Sequence, residues 1–288
     1  MEAIRVGNMS EESNLVRLRL GVAYDGTDFS GWAVQPQRRT VAGVVTEALQ
    51  VLFGSLDDFT VAGRTDAGVH ATGQVVHVDV PAADWERLAD RLLWRLRGIL
   101  PPDVRVTGVE QVSTSFNARF AALWRRYRYR VADNQWGVDP LRRMDTLAWR
   151  HPLDIDAMNA ASQHLLGEHD FASFCKKREG ATTVRALLDF TWERDREGVL
   201  EATVRADAFC HSMVRSLVGA VVAVGEGRRS QQWLIEILRA QARSSEVTVA
   251  PAHGLTLVEV AYPEDPVEWE QRVHATRRVR TLGDSPTS

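Results

Sequence analysis

Arg17-Leu18-Arg19-Leu20-Gly21-Val22-Ala23-Tyr24 alternates apolar side chains with charged or small ones. This period of two marks a strand with one buried face. Working outward, Thr40 stands at an N-cap position, and Val41, Val44, Val45, Ala48, Leu49 and Leu52 repeat at helical spacing until Gly54. Two strands are expected next, over 59–63 and 74–80. The second places Val76, Val78 and Val80 on one face and Val75, His77 and Asp79 on the other, polar one. From Asp84, the stripe Trp85, Leu88, Ala89, Leu92, Leu96 and Ile99 predicts a helix that Pro101-Pro102 ends before a strand over 104–112. The order is βαββαβ.

The second half repeats this scheme. Strands are expected over 119–131, 183–193, 199–205 and 255–262, with helices over 154–166, 209–224 and 231–239. The expected class is therefore α+β, with two ferredoxin-like βαββαβ units, mainly antiparallel sheets and a cleft between the units. The corresponding domains are 15–115 and 116–262, preceded by an N-terminal extension (1–14) and followed by a charged tail (263–288), expected to be partly mobile and to carry no chemistry.

The chain has 288 residues, 44% hydrophobic and 25% charged, which suits a globular protein. No apolar run is long enough to cross a bilayer and the N-terminus lacks an apolar signal stretch, so a cytoplasmic location is expected. Cys175 and Cys210 each stand alone in sequence, and the expectation is two reduced thiols with neither a disulfide framework nor a thiolate metal site. The net charge of -3 does not mark a nucleic-acid binder, but basic residues cluster at Arg125, Arg126, Arg128 and Arg130, at Lys176, Lys177 and Arg178, and at Arg228 and Arg229.

Between two expected strands lies Gly63-Arg64-Thr65-Asp66-Ala67-Gly68-Val69-His70-Ala71, too rich in glycine and charge to be core. Its glycines permit a close approach to a ligand, and a carboxylate and a guanidinium sit two positions apart, as in an active-site loop. A β-turn in which Asp66 bonds its own backbone and Arg64 is solvated is the simpler reading of the loop alone.

The run from Gly63 to Val75 resembles the signature of the TruA family of tRNA pseudouridine synthases, and other segments agree in order. Tyr24-Asp25-Gly26-Thr27, Phe29 and Gly31-Trp32 resemble its opening motif. Leu100-Pro101-Pro102-Asp103-Val104, Phe116-Asn117-Ala118-Arg119-Phe120, Arg126-Tyr127-Arg128-Tyr129, Gly167-Glu168-His169-Asp170-Phe171, Met213-Val214-Arg215 and Gly254-Leu255 follow. Collinear matches over 15–262 are far more specific than a single short motif. The chain departs from the family pattern at Ala33, Ala42, Arg97, Ser212 and Ser216, where amides are usual, which bears on substrate contacts more than on chemistry.

The resemblance implies isomerisation of uridine to pseudouridine at tRNA positions 38, 39 and 40 in the anticodon stem-loop, by a homodimer, without cofactor or metal. It makes Asp66 the nucleophile and Arg215 its paired cation, since a secluded carboxylate would otherwise be protonated. For Arg215 the competing reading is a solvated position on an amphipathic helix. Tyr127 would pack on the target uracil and handle the C5 proton; otherwise it is strand core. Strand parity separates Tyr127, Tyr129 and Val131 from Arg126, Arg128 and Arg130, which leaves Tyr129 structural and the arginines either on phosphate or simply solvated. Arg64 would fill the space left by the flipped nucleotide, and Arg125, Arg126, Lys176 and Lys177 are further candidates for RNA binding. His70 is expected to shape the loop without acting as acid or base, and His77, His164 and His169 form no zinc spacing. Two other functions compete: an RNA-binding protein without catalysis, and a glycosidase, for which one carboxylate falls short of the usual two.

Overall fold

The computed structural model describes residues 14–176, 182–276 and Leu282. The first half runs β1 (Leu15–Tyr24), α1 (Val41–Phe53), β2 (Asp57–Val61), β3 (His70–Pro81), α2 (Ala82–Leu88), α3 (Leu92–Ile99) and β4 (Val104–Val112). The second runs β5 (Trp124–Ala132), β6 (Leu147–Ala148), α4 (Ile155–Gln163), β7 (Gly167–Asp170), β8 (Val184–Arg194), β9 (Leu200–Ala206), α5 (Met213–Gly225), α6 (Gln231–Arg239), β10 (Leu255–Ala261) and α7 (Pro266–Thr276). The protein is α+β, with a mostly antiparallel sheet.

The strands join one sheet in the order β4-β1-β3-β10-β5-β9-β8-β7, with β2 on β3 and β6 on β5. Each half carries the same permutation: β4-β1-β3-β2 in the first, β10-β5-β9-β8 in the second. The halves meet where β10 pairs in parallel with the start of β3, Thr256 opposite His70 and Leu257 opposite Ala71. The seam therefore lies directly after the loop that carries Asp66.

Local signals account for the elements. Thr40 Oγ1 accepts the Gly43 amide at 3.3 Å, and Gly54 ends α1 at φ 71°. Leu18, Leu20 and Val22 of β1 share a core with Val45 and Leu49 of α1 and Leu92 and Leu96 of α3. The single helix expected over 84–99 is instead two helices joined by a 3-10 turn at Ala89–Arg91, across which Leu88, Leu92 and Leu96 remain buried.

Three expectations need correction. The face of β3 read as polar is covered: His77 is fully buried, its Nδ1 accepting the Ala118 amide at 2.9 Å and its Nε2 lying 3.1 Å from Asp58, while its ring meets the edge of Phe116. Burial lowers the pKa of His77 and keeps the ring neutral. The segment after Pro263 is not a bare tail, since α7 buries Trp269 against Phe116 with ring centroids 5.0 Å apart. Cys175 and Cys210 are paired as a disulfide with Cα atoms 5.8 Å apart. The 3-10 turn at Ala172–Phe174 and a bond from the Lys176 amide to the His211 carbonyl lay these two segments side by side, a closeness that 35 residues of intervening chain conceal.

Phe116 is the centre of the layer behind the first half: His77, Tyr262, Trp269 and the Arg19 guanidinium all contact its ring. Arg17 holds the same boundary by donating to Asp58 and Asp79 and to the carbonyls of Thr114 and Phe116. Phe116→Ala should destabilise the protein by about 3–5 kcal/mol, the scale of emptying a buried phenylalanine site. The check is the midpoint of urea unfolding, and an unchanged midpoint would refute this role for the ring.

Candidate active site

The loop between β2 and β3 is fixed by backbone proximity more than by its own side chains. Gly26 lies so close to it that a Cβ there would sit 2.0 Å from the Val69 carbonyl oxygen, and one on Gly31, at φ +93°, would sit 3.0 Å from the Thr65 oxygen. Only glycine lets two backbones touch in this way. The Trp32 amide donates to the Thr65 carbonyl at 3.1 Å, and the Gly68 amide to that of Phe29 at 3.4 Å. Thr65 Oγ1 is 2.7 Å from the Tyr24 hydroxyl, whose pKa burial pushes up to about 12, and Gln74 Nε2 donates to the Gly63 carbonyl. The Tyr24–Trp32 motif is thus the bed on which the loop lies.

His70 completes the bed. Its Nδ1 accepts the Gly26 amide at 3.0 Å and its Nε2 donates to the His253 carbonyl at 3.0 Å, tying the loop to the turn before β10.

The Asp66 carbonyl accepts the Val69 amide at 3.2 Å, as in the simple turn, but its side chain bonds away from its own backbone. Its Oδ2 receives Arg215 Nη1 at 3.1 Å and the Ser212 hydroxyl at 3.3 Å, and its Oδ1 lies 3.2 Å from His211 Nε2. The carboxylate is a quarter exposed. Ser212 is the N-cap of α5 and takes a left-handed conformation (φ 64°), so the positive end of that helix faces the carboxylate.

Arg215 is correspondingly fixed and is not a solvated helix residue. Its Nε donates to the Ala250 carbonyl at 2.7 Å, and the Ala250 amide returns a bond to the Arg215 carbonyl. Gly219, one turn on, permits this clamp, because a Cβ there would lie 1.9 Å from the Thr248 oxygen. A carboxylate so held can attack an electrophilic carbon or stabilise a developing cation.

Tyr127 is buried beside this pair and stands edge-on to Phe209 at 5.1 Å. Burial raises its pKa well above the usual tyrosine value, and the negative charge of Asp66 adds to the effect. The hydroxyl is a proton donor at neutral pH, and it can accept a proton only after losing its own. Tyr129 is wholly buried and its hydroxyl donates to the Pro251 carbonyl, a structural place.

The basic candidates separate. Arg64 and Lys176 are exposed, the first two residues from Asp66, the second beside His211 through its amide. Arg125 must be corrected: it is buried and donates to the carbonyls of Ala62, Arg119 and Asp207, so its guanidinium is fully occupied in holding the roots of the Asp66 and His211 segments. Arg126 is on the opposite face of β5 from Tyr127 and pairs with Glu259 at 2.5 Å. On that face Arg128 and Arg130 pair with Glu201, and Arg130 also with Asp145, so charge neutralisation answers why they are there. Lys177 and Arg178 lie outside the described residues.

Sequence reasoning missed His211. Its signal was its place four residues before Arg215, at a helix start, but no spacing rule gives an N-cap neighbour a contact with a carboxylate 145 residues away. Among the described residues no three His, Cys, Asp or Glu side chains gather as a metal site, and no helix is long and apolar enough to cross a membrane.

Comparison with known proteins places this geometry in a family. A family profile described as tRNA pseudouridine synthase matches residues 161–263. A Streptomyces griseus protein named tRNA pseudouridine synthase A is 56% identical over 274 residues, covering 94% of this chain and 96% of its own. Proteins of the same name from Frankia casuarinae and Mycobacterium leprae are 57% and 49% identical, covering 92% and 96% of this chain and 96% and 99% of their own. The chain belongs to the tRNA pseudouridine synthase A family.

Proposed function

We propose that this enzyme isomerises uridine to pseudouridine in tRNA, with Asp66 as the nucleophile, acting on the anticodon stem-loop at positions 38, 39 and 40. The bond from ribose C1′ to base N1 breaks, the uracil turns, C1′ bonds to C5, and the C5 proton leaves while N1 regains one, so no atom is gained or lost. The reading is carried by one observation: the Asp66 carboxylate held by Arg215 at 3.1 Å in a partly enclosed place beside Tyr127.

The remaining roles follow from exposure. Arg64, at the tip of the Asp66 loop, is placed to occupy the gap left by an extruded base, an extrusion that costs a few kcal/mol. Lys176 is placed to meet phosphate. Tyr127 supplies an apolar ring beside the nucleophile and, as a phenol, donates its proton rather than removing one. A homodimer in the cytoplasm is the setting we propose.

Incubation with unmodified tRNA should yield pseudouridine without free uracil. Release of uracil would make the protein a glycosidase, and no change would make it a binder. Asp66→Asn should keep tRNA affinity and lose turnover by about 10³-fold or more, the scale of removing a nucleophile; normal pseudouridine formation would defeat the assignment.

Charge removal distinguishes the Lys176 segment from the arginine face of β5. Lys176→Ala should weaken tRNA binding and reduce the slope of log affinity against log salt by about 1, whereas Arg126→Ala should leave that slope unaltered. Filter binding between low and moderate salt provides the measurement, and equal slopes for the two variants would contradict it.

A further inference from the structure

The three donors around Asp66 are not equivalent. Oδ2 receives two of them, and neither can move alone: Arg215 is clamped to the backbone of Ala250, and Ser212 is set by the left-handed turn that starts α5. Oδ1 has the His211 ring beside it, Nε2 at 3.2 Å, in a charge-pair contact made by a side chain that is half exposed (51%) and has no other ring partner among the described residues. The His211 backbone is held, through its carbonyl and the Lys176 amide, so rotation about its side-chain bonds is enough to uncover Oδ1. A carboxylate oxygen has about two in-plane lone pairs: those of Oδ2 face Arg215 and Ser212, whereas Oδ1 has His211 alone beside it, so Oδ1 is the oxygen that can turn toward an electrophile without displacing α5.

We propose that His211 is a positioning residue that holds Oδ1 of Asp66 in the empty site and gives way to the incoming nucleotide, leaving Oδ1 as the reacting oxygen. This rests on Asp66 as the nucleophile. The cap orients the carboxylate plane before RNA arrives, and its rotation widens the approach to Oδ1.

The cap has a charge-dependent strength. The titratable and charged groups on the elements around His211 are Asp66 and Arg64 on the loop, Arg215 on α5, Lys176 on the adjoining chain and Tyr127 on β5, and Cys175 and Cys210 are joined. Of these types, imidazole is the one that ordinarily changes charge between about pH 5 and 8. A protonated ring holds a carboxylate by a full ion pair and yields it less readily than a neutral one. The sign follows: turnover falls as pH decreases.

Single-turnover rates at saturating enzyme on an unmodified tRNA transcript, from pH 5.5 to 8, test this. The native protein should slow toward pH 5.5. His211→Ala should lower the rate at pH 8 by about 10-fold through a less well oriented carboxylate, and His211→Gln, which retains a donor, should recover most of that loss; both should be flat across the range. A slope retained in both variants, or a Gln variant no better than Ala, overturns the cap. Asp66→Asn is run alongside. If it turns over normally the nucleophile reading has failed, whereas if it is inactive while the His211 variants keep the slope, only the cap has failed.

Discussion

A carboxylate and a guanidinium separated by 149 residues meet at 3.1 Å, and the architecture can be understood as what holds them there. Asp66 comes from a loop of the first half and Arg215 from the first turn of a helix in the second. The pair is only partly open to water, so each charge is best satisfied by the other. Their meeting depends on the parallel seam between β3 and β10, which makes the two halves one sheet and sets the Asp66 loop beside the turn leading into β10. Arg125 reinforces the seam from inside, one buried cation shared among three carbonyls at the roots of the segments that bear Asp66 and His211.

The glycines of the Tyr24–Trp32 motif are matters of distance rather than of substrate. Gly26 and Gly31 remove the atoms that would keep the motif and the Asp66 loop apart, and Gly219 does the same between α5 and the chain that clamps Arg215. The result is a preorganised site: Arg215, Ser212 and the loop are fixed before any ligand arrives, so little reorganisation accompanies the chemistry. His211 is more exposed than the other two side chains around Asp66.

Charge follows the same economy. A near-neutral protein meets a polyanion by distribution, not by total, and most of the arginine-rich strand is spent internally on Glu201, Glu259, Asp145 and backbone carbonyls. Arg64 is exposed two residues from Asp66, and Lys176 is exposed where its amide meets the His211 carbonyl.

The sequence by itself determined the class, the family and the order of the main elements, because strand and helix periods are local and the family motifs are collinear, but it did not show the short strands β6 and β7 or the helix α7. The terminal positions of α6, the cap of α1 and the opposed faces of β5 were all legible in this way. Tertiary structure alone decided the rest. His77 reads as surface until Phe116 and the chain to Ala118 cover it. Arg125 reads as an RNA contact until three carbonyls close on it, and Cys175 and Cys210 read as separate thiols until two loops align. His211 has no local signature, since its meaning is a distance to Asp66. Periodicity reports which face a residue occupies, but what lies against that face comes from distant chain, and partners across such separations are set by packing and not by spacing.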